Sequence, residues 1–237
     1  MQRGDNRAAH QLTCFMEDKE DARWCPKGMV APLSYHDAGV IAVDLDNTVG
    51  SFDGDMRQAI MRYYGLTFNQ ALRLCPPNGE RGLLSWWGGD ADASYRTFLD
   101  MESCGLLYAH QPVRERAGEV LNWLYERVGK GRLFFLTARD QAYHDVSAQW
   151  LRDRVGVRFE PHILHSSRKE RVKEFDTLID DDPRHVNAVS SHRAPYGGRH
   201  VVFMSKSWNY HEAQGYKVHH AFSWLDVQKT FSTSTGR

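Results

Sequence analysis

Apolar residues fall along this chain in short runs separated by amphipathic stretches. Val40, Ile41, Ala42 and Val43 form a run with no polar face, and it stops abruptly at Asp44 and Asp46. Such a run reads as a strand covered on both sides, the kind that belongs to a mostly parallel sheet. Further runs at 133–136, 177–179 and 200–204, and a weaker one at 161–164, read the same way. Between them the spacing turns helical. Val113, Ala117, Val120, Leu121 and Leu124 share one side of a helix over 113–127, which Lys130 and Gly131 close. Shorter helices are expected over 141–154, 168–175 and 186–191, with a last one over 223–230. Strands alternating with helices predict an α/β fold with a parallel sheet.

No strand pattern of any strength lies between about 50 and 130. That stretch has helical candidates at 56–64 and 95–102, interrupted by Pro76, Pro77, Gly79, Gly88 and Gly89. A mostly helical unit over 53–110 is therefore expected to be inserted into a core made of 36–52 and 111–237. Residues 1–35 are polar, mixed in charge and aperiodic, and read as a flexible leader. The organised chain begins soon after Met29, which makes Met29 a candidate first residue.

The polar residues that close the strands matter most. In parallel sheets ligands bind beyond the carboxyl ends of the strands. Asp44 and Asp46 end the first run, Thr137 the second, and Asp180 and Asp181 the fourth. Each alone has a structural explanation: a turn cap for the aspartates, a turn before Pro183 for the later pair, a helix cap for Thr137. Together they would converge on one crevice able to take a phosphate monoester. Carboxylates repel phosphate oxygens, and a divalent cation held by those carboxylates removes the barrier. Mg²⁺ suits a few carboxylate oxygens plus phosphate. Asp44 can then attack phosphorus, Asp46 can carry the proton of the leaving oxygen, and Thr137 can donate to a phosphoryl oxygen. A lysine is wanted to balance the charge of the transferring group.

Composition narrows the partners. The 237 residues are 41% hydrophobic and 25% charged, with a net charge of zero and a pI near 7.2, which disfavours a general nucleic-acid binder or a binder of anionic membranes. No apolar run approaches the roughly 20 residues of a membrane span, and the N-terminal stretch lacks the apolar core of a signal peptide, so the cytoplasm is the default expectation. Cys14, Cys25, Cys75 and Cys104 form no C-x-x-C pair and read as free thiols. The histidines show no metal-ligand spacing. His219 and His220 would point to opposite faces of a strand, and structural or surface roles are expected for most histidines.

These residues also carry a family resemblance. Asp44-Leu45-Asp46-Asn47-Thr48 resembles the D-x-D-x-T signature of haloacid dehalogenase-like phosphohydrolases. Leu136-Thr137-Ala138-Arg139 is similar to their second motif and Leu178-Ile179-Asp180-Asp181 to their fourth. The resemblance spans about 39–210. It implies a Rossmann-like parallel core with a small helical C1-type cap after the first strand. It also implies an aspartyl-phosphate mechanism with Asp44 as nucleophile and Asp46 as general acid/base. Mg²⁺ would be bound by Asp44, Asp46, Asp180 and Asp181, and phosphate by Thr137, Ala138, Arg139 and a lysine upstream of Asp180. Lys169 is preferred for that lysine, because Val172 and Phe175 read as the buried side of its helix; Lys173 is the alternative. For Arg139, pairing with Asp140 is the competing role. The Asp-Asn-Thr variant, Thr-Ala-Arg, Ile-Asp-Asp and the later Ser207-Trp208-Asn209 together resemble the 5′(3′)-deoxyribonucleotidase group, which implies dephosphorylation of nucleoside monophosphates.

Trp86 and Trp87, next to Gly88 and Gly89, together with Phe52 are candidate base-stacking residues, with packing inside the cap as the competing role. Rival functions are a phosphatase for another small phosphate ester, a nucleic-acid 3′-phosphatase, and a catalytically silent binding protein of the same fold. A cap favours small substrates over polymers. Dehalogenation would not need Asp46, and intact Asp44, Asp46 and Asp180 argue against a silent protein. Monomer against homodimer is left open.

Overall fold

The computed structural model describes residues 33–74, 91–191, 198–205, 209–213 and 217–231. Its centre is a six-stranded, all-parallel sheet of order β3-β2-β1-β4-β5-β6. The strands are β1 Ile41–Val43, β2 Leu133–Thr137, β3 Ile163–His165, β4 Thr177–Asp180, β5 His200–Met204 and β6 Val218–Ala221. β1 is flanked by β2 on one side and β4 on the other, so the chain leaves β1 in one direction and later returns to build the sheet in the other. That reversal opens a crevice at the carboxyl end of β1, where Asp44 stands.

Two-residue periodicity sorts the strand side chains onto two cores. Ile41, Val43, Leu133, Phe135 and Ile179 face one side and pack with Val120, Leu121 and Leu124 of helix α5 (Ala117–Val128) and with Trp224 and Val227 of α8 (Trp224–Thr230). Ala42, Phe134, Leu136 and Leu178 face the other side with Val186 and Val189 of α7 (Pro183–Ser190) and with Phe175. Both faces are covered, which is why the strand sequences are apolar throughout. The remaining helices in chain order are α1 Tyr35–Ala38, α2 Phe52–Tyr64, α3 Phe68–Leu74, α4 Ala91–Ser103 and α6 His144–Trp150. Among the described residues, α2, α3 and α4 are all that separates β1 from α5. They form the helical cap, with a cluster of its own built on Met56, Ala59, Ile60, Met101, Leu107 and Tyr108. No described helix is long and apolar enough to cross a membrane.

Three expectations change in detail. The helix expected over 168–175 is one 3₁₀ turn, Lys169–Arg171, because the chain turns extended at Val172 to carry Phe175 into the core and reach β4. The helix over 141–154 is a 3₁₀ turn, α6 and then a π turn, Leu151–Val155. β6 was not expected; its two histidines mask the strand pattern, and pairing with β5 decides it. Cys104 is a free, exposed thiol; the other three cysteines and nearly all of the expected leader lie outside the described residues.

β6 does place His219 and His220 on opposite sides. His219 is buried with its Nε2 3.3 Å from His200 Nδ1, while His220 Nδ1 lies 2.7 Å from Ser205 Oγ. Burial, with His200 and His220 adding, lowers the His219 pKa from 6.5 to about 4. A histidine lowered in the fold binds fewer protons there than in the unfolded chain. Its contribution is therefore complete above about 6.5 and is lost as pH falls toward about 4. The stability advantage of the wild type over His219→Gln in urea melts should shrink by about 2 kcal/mol across that window, allowing for solvent at the sheet edge. A pH-independent difference would contradict the burial of a neutral ring.

Candidate active site

β1 delivers Asp44 to the crevice with its backbone N–H bonded to the Ile179 carbonyl at 2.9 Å, which sets it beside Asp180 at the end of β4. The chain then makes a tight loop in which Asn47 takes φ +56°, a conformation Asn tolerates better than most residues. Trp224 Nε1 donates to the Thr48 carbonyl at 3.0 Å and ties this loop to α8.

Lys169, almost fully buried, donates from Nζ to Asp44 Oδ1 at 2.5 Å and to Asp180 Oδ2 at 2.8 Å. Asp180 Oδ1 accepts from the Asp182 N–H at 2.8 Å, and His185 Nδ1 lies 3.4 Å from Asp180 Oδ2, an ionic contact rather than a well-formed hydrogen bond. The Thr48 hydroxyl faces Asp44 Oδ2 at 3.3 Å and Asp181 Oδ1 at 3.2 Å. One carboxylate oxygen from each of Asp44, Asp180 and Asp181 lies within 4.8 Å of the others. Three hard oxygen donors converging in this way fit Mg²⁺ and would not select a soft metal.

The electrostatics single out Asp44. Burial raises its pKa, and Asp180 and Asp46 add to the rise against the pull of Lys169. For Asp180 burial acts in the same direction but is outweighed by Lys169 and His185, so its carboxyl stays below the usual range. Burial works against the charge on Lys169, yet Asp180 and Asp44 hold its pKa above that of an ordinary lysine. The cluster thus keeps Lys169 cationic and leaves Asp44 the costliest anion in the group, which a bound cation would relieve.

Asp46 stands apart from this group. Arg139 grips its carboxylate with two prongs, Nε to Oδ2 at 2.9 Å and Nη2 to Oδ1 at 2.7 Å, and Gln111 Nε2 adds a bond to Oδ1 at 3.0 Å. Among the four expected metal ligands, the structure gathers the carboxylates of Asp44, Asp180 and Asp181 and leaves that of Asp46 outside. Thr137 ends β2, fully buried, with Oγ1 accepting from the Arg139 N–H at 3.2 Å, so its own hydrogen remains to donate. Ala138 is exposed on the turn that follows. Arg139 pairs with Asp46 rather than with Asp140, whose side chain caps the Ala142 N–H. Lys169 lies inside the cluster and Lys173 is exposed on the surface. Phe52 opens α2 and stacks on Tyr108, with ring centroids 6.4 Å apart; Trp86 and Trp87 lie outside the described residues.

Sequence reading missed Gln111, Ser147, Trp150, Tyr108 and His185. Gln111 sits on the return from cap to core, where no periodicity marks it. His185 had a usable signal, since it lies in the first turn of the helix that Asp182 caps directly after β4.

No protein-family model and no curated protein matches the chain by sequence. Solved structures do match. A haloacid dehalogenase-like family hydrolase from Streptococcus pneumoniae gives a TM-score of 0.54 at 12% identity, covering 83% of this chain and 100% of that one. A dehalogenase solved with an intermediate complex gives 0.53 at 12% identity, covering 84% and 99%. At these identities the likeness is one of fold.

Proposed function

We propose, from a haloacid dehalogenase-like fold with this constellation at the end of its central strands, that the protein is a Mg²⁺-dependent phosphatase for phosphate monoesters, working through a phosphoaspartate on Asp44. The single observation that carries the reading is the bridge from Lys169 Nζ to Asp44 and Asp180, with Asp181 completing a three-carboxylate cradle. Asp44, Asp180 and Asp181 would hold the metal, which when bound offsets the repulsion between carboxylate and phosphate. Lys169 and the Thr137 hydroxyl would balance the phosphoryl oxygens. Asp44 attacks phosphorus while Asp46 gives its proton to the departing oxygen. Asp46 then takes a proton from the water that attacks the phosphoaspartate, restoring both groups.

The substrate we propose is a nucleoside monophosphate. Support comes from aromatic rings in and beside the cap. Phe52 stacks on Tyr108 and meets Phe98 edge-on, Tyr95 stacks on Phe98 with more than half of its surface exposed, and Tyr143 leans on Tyr108. Exposed Tyr95 and half-buried Phe52 and Phe98 can take a base by stacking, with buried Tyr108 supporting Phe52 from within. On this reading the cap comprises 53–110 and the core 36–52 with 111–237. The test is phosphate release from a panel of nucleoside 5′- and 3′-monophosphates and sugar phosphates with Mg²⁺. Preference for nucleotides by tenfold or more in kcat/KM, abolished by chelation, is expected. Activity on sugar phosphates alone would overturn the nucleotidase part, and no release from any ester would overturn the phosphatase.

A further inference from the structure

Two aspartates only two residues apart face different cations. Lys169 takes Asp44, and Arg139 takes Asp46. Arg139 comes at Asp46 from behind: its side chain is 1% exposed, that of Asp46 27%. The open side of the carboxylate is therefore the one turned from the arginine. All three guanidinium nitrogens are already donating: Nε to Asp46, Nη2 to Asp46 and to Gln111 Oε1, and Nη1 to Ser147 Oγ at 2.9 Å. Tyr108 lies against the guanidinium with its ring centroid 4.3 Å away, and Trp150 at 5.5 Å. Trp150 Nε1 in turn donates to the Gln111 carbonyl at 2.9 Å, and the Tyr108 N–H to Asp55 Oδ2 on the first cap helix at 2.7 Å. Gly50 leaves room for Gln111, since a Cβ there would sit 2.6 Å from its amide carbon. A buried arginine with each nitrogen engaged and both flanks packed is built to hold something still.

We propose that Arg139 is the positioning residue of the proton carrier. Its fork, backed by Gln111, Ser147, Tyr108 and Trp150, fixes the plane of the Asp46 carboxylate toward the leaving-group oxygen and keeps Asp46 out of the Asp44, Asp180 and Asp181 cluster. This rests on the phosphatase reading above. In the step it serves, a bond forms between Asp44 and phosphorus as the bond from phosphorus to the ester oxygen breaks. The proton of the Asp46 carboxyl passes to that oxygen, so an alcohol leaves and Asp46 is left as the carboxylate.

The role predicts a dependence on the leaving group that neither packing nor phosphate binding would produce. An alkoxide needs the proton of Asp46 in order to leave; a p-nitrophenolate does not. The experiment compares kcat/KM for p-nitrophenyl phosphate and a nucleoside 5′-monophosphate in the wild type, Arg139→Met, Asp46→Asn and the double variant, all with Mg²⁺. In Arg139→Met the loss on the alkyl ester should exceed the loss on the nitrophenyl ester by about tenfold to a hundredfold. The double variant should lose little more than Asp46→Asn alone, because Arg139 acts through Asp46. Arg139→Lys, which keeps the charge but not the two-pronged fork, is the second variant should the methionine fail to fold, and it should show the same bias. Equal losses on both esters, or additive losses in the double variant, overturn the proposal and leave the phosphatase standing. A wild type that turns over neither ester overturns the phosphatase reading and this role with it.

Discussion

Asp44→Asn is expected to lose phosphatase turnover by about 10⁴-fold or more while melting at the same temperature as the wild type or higher. The two outcomes share one cause. Asp44 is buried at the end of β1 with Asp180, Asp181 and Asp46 around it, and among the described residues Lys169 is the cation paired with it. A carboxyl raised in the fold, here from 3.8 to about 7, costs stability that sets in above the unfolded value and is complete once pH passes the folded one. Asparagine keeps the shape and an oxygen for Lys169 to donate to, but it carries no charge and cannot form the phosphoaspartate. A site that stores such a cost for the sake of a nucleophile gains stability when the nucleophile is removed. The checks are phosphate release with Mg²⁺ and a thermal melt without it. Retained turnover would sink the mechanism; a marked fall in melting temperature would mean that Asp44 serves the fold and not the chemistry.

The second large effect lies away from the chemistry, at Gly118→Ala. Alanine is the better helix former by about 1 kcal/mol, so intrinsic propensity alone would favour the change within α5. The tertiary contact opposes it. A Cβ at Gly118 would sit 1.8 Å from the Val155 carbonyl oxygen, which is backbone and cannot swing aside. One turn further along the same face, Asn122 holds the loop after α6 against α5. Its Nδ2 donates to the Gly156 carbonyl at 2.9 Å and its Oδ1 accepts from the Arg158 N–H at 2.8 Å. Those bonds draw the backbone onto the helix, and only a residue without a side chain fits beneath. Overpacking typically costs about 1–3 kcal/mol and occasionally more, and a contact this close to fixed backbone belongs at the upper end, which exceeds the propensity gain. A net loss of about 2–3 kcal/mol should lower the melting temperature by roughly 5–10 °C in a chain of this size. A variant as stable as the wild type would show that the loop can be displaced without penalty.

Local sequence and tertiary structure each determined a distinct part of this protein. Five of the six strands, the helical insertion and the carboxylates at the strand ends were legible, because burial on two faces leaves an uninterrupted apolar run and a polar residue closing such a run is conspicuous. Asp44, Thr137 and Asp180 follow from that signal. It does not extend to partners. Lys169 against Lys173 was a choice between two cations in one stretch. The outcome depends on where a 3₁₀ turn points a side chain, whereas the expected helix over 168–175 did not form. Arg139 read as a phosphate ligand or a partner of Asp140, but its guanidinium bonds to Asp46, 93 residues away in the chain, and to Gln111, 28 residues away. β6, masked by two histidines, exists because β5 offered an edge to pair with. Periodicity encodes which face of an element is buried, since that is a property of neighbours along the chain. Which charge meets which is settled only when the sheet closes and residues far apart in sequence are desolvated together.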